Sequence, residues 1–219
     1  MIRLHHVPAS RSFRVLWFLE ELGLEYKTVE YSIRDGSLRT PAFLAISPAG
    51  RVPALEIDGR VLFESGAILQ TLCEIHPQAG FAPLPGTQGR DRFLEVLSYS
   101  ETMASLIEQL NMQNLFLRDP SQASPVVLKV ITARLASVMR AFEGILGDRD
   151  YVLDTGFSAA DAMMGFNLFA APYYVKMDGF DVLKAYAKRL SERPAYVAAM
   201  ANDGEQDFYT KDFYPVPGT

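Results

Sequence analysis

The sequence predicts an α+β domain followed by an all-α domain. Three observations support this fold class. Residues 1–78 alternate between short strand-like and helix-like patterns, residues 79–89 are dense in Gly and Pro, and residues 90–219 repeat apolar residues at helical spacing. A stretch rich in Gly and Pro is typical of a linker. We therefore expect a domain at 1–78, a linker at 79–89 and a helical domain at 90–219.

The first domain begins with the pattern of a strand, a helix and a second strand. Ile2 to His6 alternates apolar and polar residues, which predicts a strand. Apolar residues at helical spacing follow Ser10-Arg11-Ser12 and end at Gly23, which predicts a helix that either serine can cap. Residues 26–31 alternate again and predict the second strand.

The next segment predicts a hairpin and a further helix. Asp58-Gly59 lies between two apolar runs, which is typical of the turn of a two-stranded hairpin. Ser65 precedes an apolar periodic run, as at the N-terminus of a helix, and His76-Pro77 ends that helix. With a short helix or turn at Pro41 to Ile46, this is the thioredoxin-like order of elements.

Helical periodicity covers most of the second half of the chain. Ser158 and Asp161 form a capping-box pattern at the start of one helix, with Asp replacing the usual Glu. The tail at 203–219, rich in Tyr, Phe and Pro, is predicted to pack as irregular chain. The other predicted helices cover 90–117, 125–146, 181–192 and 194–201.

Composition and charge argue against several classes of protein. The net charge is −5 and no Lys/Arg cluster overrides it, which argues against a nucleic-acid-binding surface. No apolar run approaches the roughly 18 to 20 residues that a membrane span needs, and the first residues lack the apolar core of a signal peptide. One Cys and three His argue against a zinc site and fit a reducing compartment. We expect a cytoplasmic protein without a metal, a membrane or a nucleic-acid partner.

Several motifs, taken in order, resemble those of the glutathione S-transferases. They are Gly-Arg-Val-Pro-Ala-Leu at 50–55, Glu-Ser-Gly-Ala-Ile at 64–68, Ser-x-x-Asp at 158–161 and Arg-Pro-Ala-Tyr at 193–196. The position of the linker and the helical second half match that family as well. The resemblance implies a cytosolic, serine-type, bacterial or fungal-like member that uses glutathione as co-substrate. It also implies a homodimer, formed by the N-terminal domain of one subunit and the long helices of the other.

The residues between 51 and 65 suit the polar groups of glutathione. Ser65 at a helix N-terminus can bind the γ-glutamyl carboxylate, and Glu64 can accept a hydrogen bond from the amine. Val52 can pair its backbone with the cysteine of the tripeptide, and the resemblance implies a cis bond before Pro53 that turns this edge outward. Arg51 can reach the glycyl carboxylate, where many relatives place Lys or Gln. Each residue also has a simpler role in a cap or on the surface, but their combined spacing favours a binding site.

The catalytic group must lower the pKa of the bound thiol from its free value of about 8.5. In serine-type transferases a hydroxyl just after the first strand does this, which points to Ser10, with Ser12 as the second candidate and as the helix cap. Counting back from the helix places Ala9 at the position that several serine-type and cysteine-type classes use, which is a departure from the pattern. Arg11 can add positive potential or can simply be solvated.

The resemblance therefore implies an enzyme that conjugates the glutathione thiolate to small hydrophobic electrophiles, as in detoxification. Two other functions stay open. One is a glutathione-dependent peroxidase or disulfide reductase, for which no protein cysteine is needed. The other is a non-catalytic glutathione-binding or regulatory protein, which Ala9 in place of a hydroxyl keeps open.

Other side chains with possible chemistry receive structural interpretations. We expect Cys73 to be a buried thiol and Trp17 to pack on the helical domain. His5 and His6 are expected to be packed or surface side chains, with one of the two near the mouth of the site. The resemblance puts the electrophile site between the domains. Its candidate wall residues are Tyr99, Met103, Phe116, Tyr173, Phe208 and Tyr214.

Overall fold

Four strands form one mixed sheet in the first part of the chain. In the computed structural model, which describes residues 1–217, the sheet order is β2-β1-β3-β4. The strands are β1 Ile2–His6, β2 Tyr26–Glu30, β3 Ala54–Ile57 and β4 Arg60–Phe63. β2 runs parallel to β1, whereas the β1–β3 and β3–β4 pairs are antiparallel. Gly218 and Thr219, the end of the predicted tail and helical domain, lie outside the described residues.

Eight α-helices occur within the described residues. In chain order they are α1 Phe13–Glu21, α2 Pro41–Ile46, α3 Ser65–Ile75, α4 Arg90–Asn114, α5 Pro125–Leu146, α6 Ala159–Ala170, α7 Asp181–Ser191 and α8 Pro194–Asn202. The predicted helix at 90–117 ends earlier than expected, at Asn114. A thioredoxin-like sheet with its helices is thus followed by a helical region, which confirms the predicted fold class. No helix within residues 1–217 is long and apolar enough to cross a membrane.

The β3–β4 hairpin turns where the sequence predicts it. Asp58 has φ of 50° and Gly59 has φ of 74°, so both central residues adopt the left-handed conformation that a two-residue type I′ turn requires. Leu55 pairs with Leu62 across the two strands. α3 follows the hairpin after one residue and begins at Ser65, as predicted.

The two histidines of β1 face opposite sides of the sheet, because successive side chains of a strand alternate. The His5 ring lies 5.9 Å from the Phe43 ring of α2, between ring centroids. His6 instead lies against Ser12, at the start of α1, with its Nδ1 2.8 Å from the serine Oγ. β1 therefore supplies one buried imidazole to each face.

The contacts of the chain define two compact units. The N-terminal unit comprises Met1–Pro85 together with Ser191–Gln206, and the helical unit comprises Gly86–Leu190 with the tail from Asp207 onward. The predicted domain boundaries put α8 with the other late helices, whereas its contacts put it with the sheet.

The contacts between α8 and α1 explain why α8 belongs to the N-terminal unit. The Trp17 ring meets the Tyr196 ring edge-on at a centroid distance of 5.0 Å. Arg193, just before α8, donates two hydrogen bonds to the Glu21 carboxylate at 2.6 and 2.7 Å. Trp17 thus packs on a helix from beyond the linker, as expected, but that helix is part of the N-terminal unit.

A buried carboxylate organises the helical unit around the start of α6. Asp161 accepts hydrogen bonds from the N–H and hydroxyl of Ser158, at 2.8 and 2.6 Å. It also accepts from the Val152 N–H and the Tyr186 hydroxyl, each at 2.8 Å. The predicted capping box is therefore present and ties α6 to α7 and to the preceding loop.

We predict that Asp161→Ala lowers the free energy of unfolding by about 2 to 4 kcal/mol, because buried donors on three residues lose one shared acceptor. Urea denaturation measures the change. Asp154→Ala is the matched control, since that carboxylate lies nearby with its side chain 80% exposed, and its effect should stay within about 0.5 kcal/mol. Equal losses in the two variants would contradict this role of Asp161.

Candidate functional site

A buried arginine lies beneath the N-terminus of α3. Arg14 of α1 is fully buried, and its Nη1 donates to the Oγ of Ser65 at 3.0 Å. A guanidinium can only donate, so Ser65 accepts here and its own hydroxyl proton remains available for another acceptor. The positive end of the helix and the buried cation both attract negative charge. This arrangement is suited to a carboxylate.

Glu64 directly precedes α3, and Val52 lies in the loop before β3. Glu64 is exposed, has φ of 71° and does not cap α3 with its side chain. The peptide bond between Val52 and Pro53 is cis, as the resemblance implies. Within residues 1–217, the N–H and C=O of the half-buried Val52 make no hydrogen bond. Its peptide edge can therefore pair with an extended ligand.

The loop before Pro53 is held by one serine. Ser47 is buried, and its Oγ donates to the Arg51 carbonyl at 2.7 Å and accepts from the Arg51 N–H at 3.3 Å. The Arg51 side chain lies on the exposed surface of this loop. The backbone of Arg51, next to Val52, is therefore fixed by hydrogen bonds, while the Arg51 side chain faces solvent.

The structure separates the two candidate serines. Ser12 is fully buried; its Oγ accepts from the Val7 N–H at 3.1 Å and lies 2.8 Å from His6 Nδ1. Ser10 is partly exposed, and its Oγ lies 2.8 Å from Ser12 Oγ. Neither side chain caps α1, so that prediction was wrong: the Ser12 hydroxyl turns back to the end of β1 instead.

The loop after β1 is held by a residue from the far end of the N-terminal unit. Ala9 has φ of 51°, and its N–H donates to Asp203 Oδ2 at 2.8 Å. The Asp203 carbonyl accepts from His6 Nε2, also at 2.8 Å. Asp203 directly follows α8 and is 7% exposed. The backbone N–H of Ala9 is thus held by a residue that lies far from it in the sequence.

Sequence reasoning missed three residues of this site. Asp203 lies 197 residues from His6, and no local pattern joins positions so far apart. His6 was expected to be a packed or surface side chain, and its partners were not foreseen. Arg14 could have been found from the sequence, because it is the one charged residue in the otherwise apolar run 13–19. Arg11, which precedes α1 in the sequence, is half-exposed.

The remaining sequence candidates lie apart from these groups. His5 is packed, as expected; it bonds to Glu56 at 2.9 Å, and this hydrogen bond holds the pKa of Glu56 below its ordinary value. Cys73 is buried and belongs to no disulfide, and its burial is as expected. Within residues 1–217, no group of three His, Cys, Asp or Glu side chains could hold a metal ion.

The candidate wall residues divide into two groups in the helical unit. Met103 is fully buried in the core, and the half-buried Tyr99 donates its hydroxyl to the Val138 carbonyl at 3.0 Å. An aromatic cluster forms from the others and from one residue that the sequence did not indicate, Tyr209. Its members are Phe116, Tyr173, Phe208, Tyr209 and Tyr214.

Comparisons with known proteins identify relatives of this chain. Residues 1–72 match the family model of the glutathione S-transferase N-terminal domain. Glutathione S-transferase 3 of Zea mays is 31% identical over 167 residues, which cover 74% of each chain. Maleylacetoacetate isomerase of Pseudomonas aeruginosa is 30% identical over 193 residues, or 86% of this chain and 90% of that one.

A solved structure gives the same assignment. The glutathione S-transferase of a sphingomonad, in complex with glutathione, superposes with a TM-score of 0.75 at 28% identity, and the match covers 92% of this chain and 98% of that one. Sequence motifs, fold and relatives therefore agree, and the chain belongs to the glutathione S-transferase family.

Proposed function

We propose that this protein is a glutathione transferase that binds glutathione at the N-terminus of α3 and conjugates its thiolate to small hydrophobic electrophiles, as in detoxification. The observation that carries the proposal is the buried Arg14 guanidinium bonded to Ser65 at that helix end. A buried guanidinium and a helix N-terminus at one place both favour the binding of a negative charge there. The γ-glutamyl carboxylate of glutathione would supply such a charge.

The other parts of the tripeptide find matching groups in the same segment. Ser65 would donate its N–H and hydroxyl to the γ-glutamyl carboxylate, and Glu64 would accept from the amine. Val52 would pair its peptide edge with the cysteine backbone, with Pro53 shaping that edge. Arg51 would reach the glycyl carboxylate from the exposed loop.

Ser10 is the hydroxyl that we assign to the thiolate. Ser12 is fully buried and bonded to β1, whereas Ser10 is partly exposed at the outer end of the same hydrogen-bonded pair. A hydrogen bond from Ser10, the N-terminal dipole of α1 and the positive charge of Arg11 would each favour the thiolate over the thiol. The thiolate, once formed, is the nucleophile that attacks the electrophile.

Rates on three substrate classes test this function against the alternatives. We expect the highest turnover with an electrophilic arene, and lower turnover with a hydroperoxide or a mixed disulfide. A reversed order would make the protein a peroxidase or reductase that uses the glutathione thiol, since the single Cys73 is buried. Binding of glutathione with no turnover on any of them would indicate a regulatory protein.

We further propose that the protein is a cytoplasmic homodimer. Each unit leaves apolar side chains exposed: Val61 and Phe63 on the edge strand β4 are 45% and 49% exposed, and Val126 and Val130 on α5 are 71% and 49% exposed. Exposed apolar clusters mark association surfaces. A second copy of the chain is the partner that the family resemblance favours.

Removing the Ser65 hydroxyl should weaken glutathione binding. We expect Ser65→Ala to raise the Kd by about 10- to 100-fold in calorimetry, because one hydrogen bond to a carboxylate is lost at the helix N-terminus. Ser105→Ala, which removes an exposed hydroxyl on α4, is the matched control and should leave the Kd unchanged. An unaltered Kd in Ser65→Ala would remove this residue from the site.

Removing the Ser10 hydroxyl should impair turnover more than binding. We expect Ser10→Ala to lower kcat/KM with the arene by about 10- to 100-fold near neutral pH, since one charge-assisted hydrogen bond to the thiolate is lost. The Kd for glutathione should change by less than about threefold. Turnover equal to that of the unsubstituted enzyme would exclude Ser10 from thiolate stabilisation.

The oligomeric state can be measured directly by sedimentation. We expect twice the mass of the 24.4 kDa chain, and dissociation on Phe63→Asp, because a charge replaces an apolar contact at the edge of the sheet. Val182→Asp, at an exposed apolar position of α7, serves as the control and should leave the mass unchanged. A monomeric mass for the unsubstituted chain would refute the dimer.

A further inference from the structure

A continuous hydrogen-bonded chain runs from the proposed thiolate site into the protein interior. Ser10 Oγ lies 2.8 Å from Ser12 Oγ, which lies 2.8 Å from His6 Nδ1. On the other side of the ring, His6 Nε2 lies 2.8 Å from the Asp203 carbonyl and 3.3 Å from its Oδ1. We call these four residues the serine–histidine relay. Only Ser10 is more than slightly exposed.

The partners of His6 fix the direction of the hydrogen bonds when its ring is neutral. A carbonyl oxygen can only accept, so His6 Nε2 carries the proton that bonds to Asp203. Nδ1 is then the acceptor, and the Ser12 hydroxyl must donate to it. Ser12 has a single proton, so its contact with Ser10 is a hydrogen bond only if Ser10 donates inward. In this state the Ser10 proton is used within the relay.

A protonated His6 reverses that direction. Nδ1–H then donates to Ser12 Oγ, and the Ser12 proton is free to donate to Ser10 Oγ. The alternative acceptor for Ser12, the Val7 carbonyl, is more distant at 3.2 Å. Ser10 can now point its own proton outward, to a thiolate. The protonation state of a buried histidine thus decides whether Ser10 can serve the site.

We propose that His6 receives the proton of the glutathione thiol through Ser10 and Ser12, an inference that rests on the proposed function. The S–H bond breaks as the thiol proton passes to Ser10 Oγ, the Ser10 proton passes to Ser12, and the Ser12 proton passes to His6 Nδ1. A neutral thiol and a neutral imidazole become a thiolate and an imidazolium, and no electrons are exchanged. After the sulfur forms its new bond, the proton returns along the relay to water or to the leaving group.

Asp203 supplies the charge that this step requires. Its Oδ2 is held by the Ala9 N–H, but its buried Oδ1 has no hydrogen-bond partner within the described residues, and it faces His6 Nε2. An unpaired buried carboxylate oxygen is costly, and a nearby imidazolium would offset that cost. His6 and Asp203 are therefore positioning residues that act on the thiol through Ser10.

Tyr196 and Glu30 are two further titratable side chains near this pair. Tyr196 of α8 is close enough for burial and the charge of Asp203 to raise its pKa, so it stays neutral near neutral pH. Glu30, the register partner of His6 on β2, is exposed to solvent, which screens its charge. Asp203 is thus the buried anion opposite the His6 ring.

Nitrogen NMR of the imidazole rings tests the relay directly. We expect the His6 ring to become an imidazolium when glutathione binds and to stay neutral with S-methylglutathione, which fills the same site but has no thiol proton. His5, buried on the opposite face of β1, is the internal control and should not respond. Ultraviolet absorbance reports the thiolate in the same samples. Thiolate formation with a neutral His6 would overturn the relay.

A variant isolates the role of the Asp203 charge. Asp203→Asn keeps an oxygen for the Ala9 N–H but removes the negative charge, so the apparent pKa of the bound thiol should rise by about one unit, a roughly tenfold loss of thiolate near neutral pH. Glu30→Gln is the matched control and should leave that pKa unchanged. A merely structural Asp203 predicts a lower Tm with no change in the thiol pKa. That result would overturn the proposal.

The two proposals can fail separately. If glutathione does not bind, or binds without forming a thiolate, then the proposed function itself fails. If the thiolate forms while His6 stays neutral and Asp203→Asn has no effect on its pKa, only the relay fails.

Discussion

The ion pair between Arg193 and Glu21 is the interaction on which the geometry of the N-terminal unit depends. It is bidentate, at 2.6 and 2.7 Å, and the Glu21 side chain is only 5% exposed. Paired forks of this kind fix orientation as well as distance. The pair anchors the start of α8 to the end of α1, and Tyr196 then packs its ring against Trp17. α8 is therefore part of the same unit as the sheet, although more than a hundred residues separate it from β4.

The packing of α8 on α1 also brings Asp203 to the loop after β1. At the far end of α8, Asp203 receives the Ala9 N–H and lies beside the His6 ring. The left-handed conformation of Ala9, which is unfavourable for a residue with a Cβ, is held by this contact. Ser10 follows at once and stays partly exposed, while Ser12 is drawn inward to β1. Of these two neighbouring serines, Ser10 is therefore the more exposed.

The same unit keeps its two buried histidines chemically separate. His5 is bonded to Tyr31 and Glu56, and His6 to Ser12 and Asp203, because adjacent residues of a strand face opposite sides of the sheet. Both imidazoles have a carboxylate neighbour, yet only one leads through hydroxyls towards the proposed glutathione site. Adjacent residues of one short strand can therefore hold two buried imidazoles in separate hydrogen-bond networks.

The sequence by itself determined the strands and helices and most of their boundaries, because these depend on short-range signals. Asp58-Gly59 meets the backbone demand of its turn, Ser65 begins α3, and the capping box of Ser158 and Asp161 forms as predicted. Only the tertiary structure decided the partners of His6, the burial of Arg14 and the contrast between the two serines. Hydrogen bonds between residues 197 positions apart leave no periodic or local pattern. They form because α1 and α8 pack against each other. The side chains that make this contact lie far apart in the sequence.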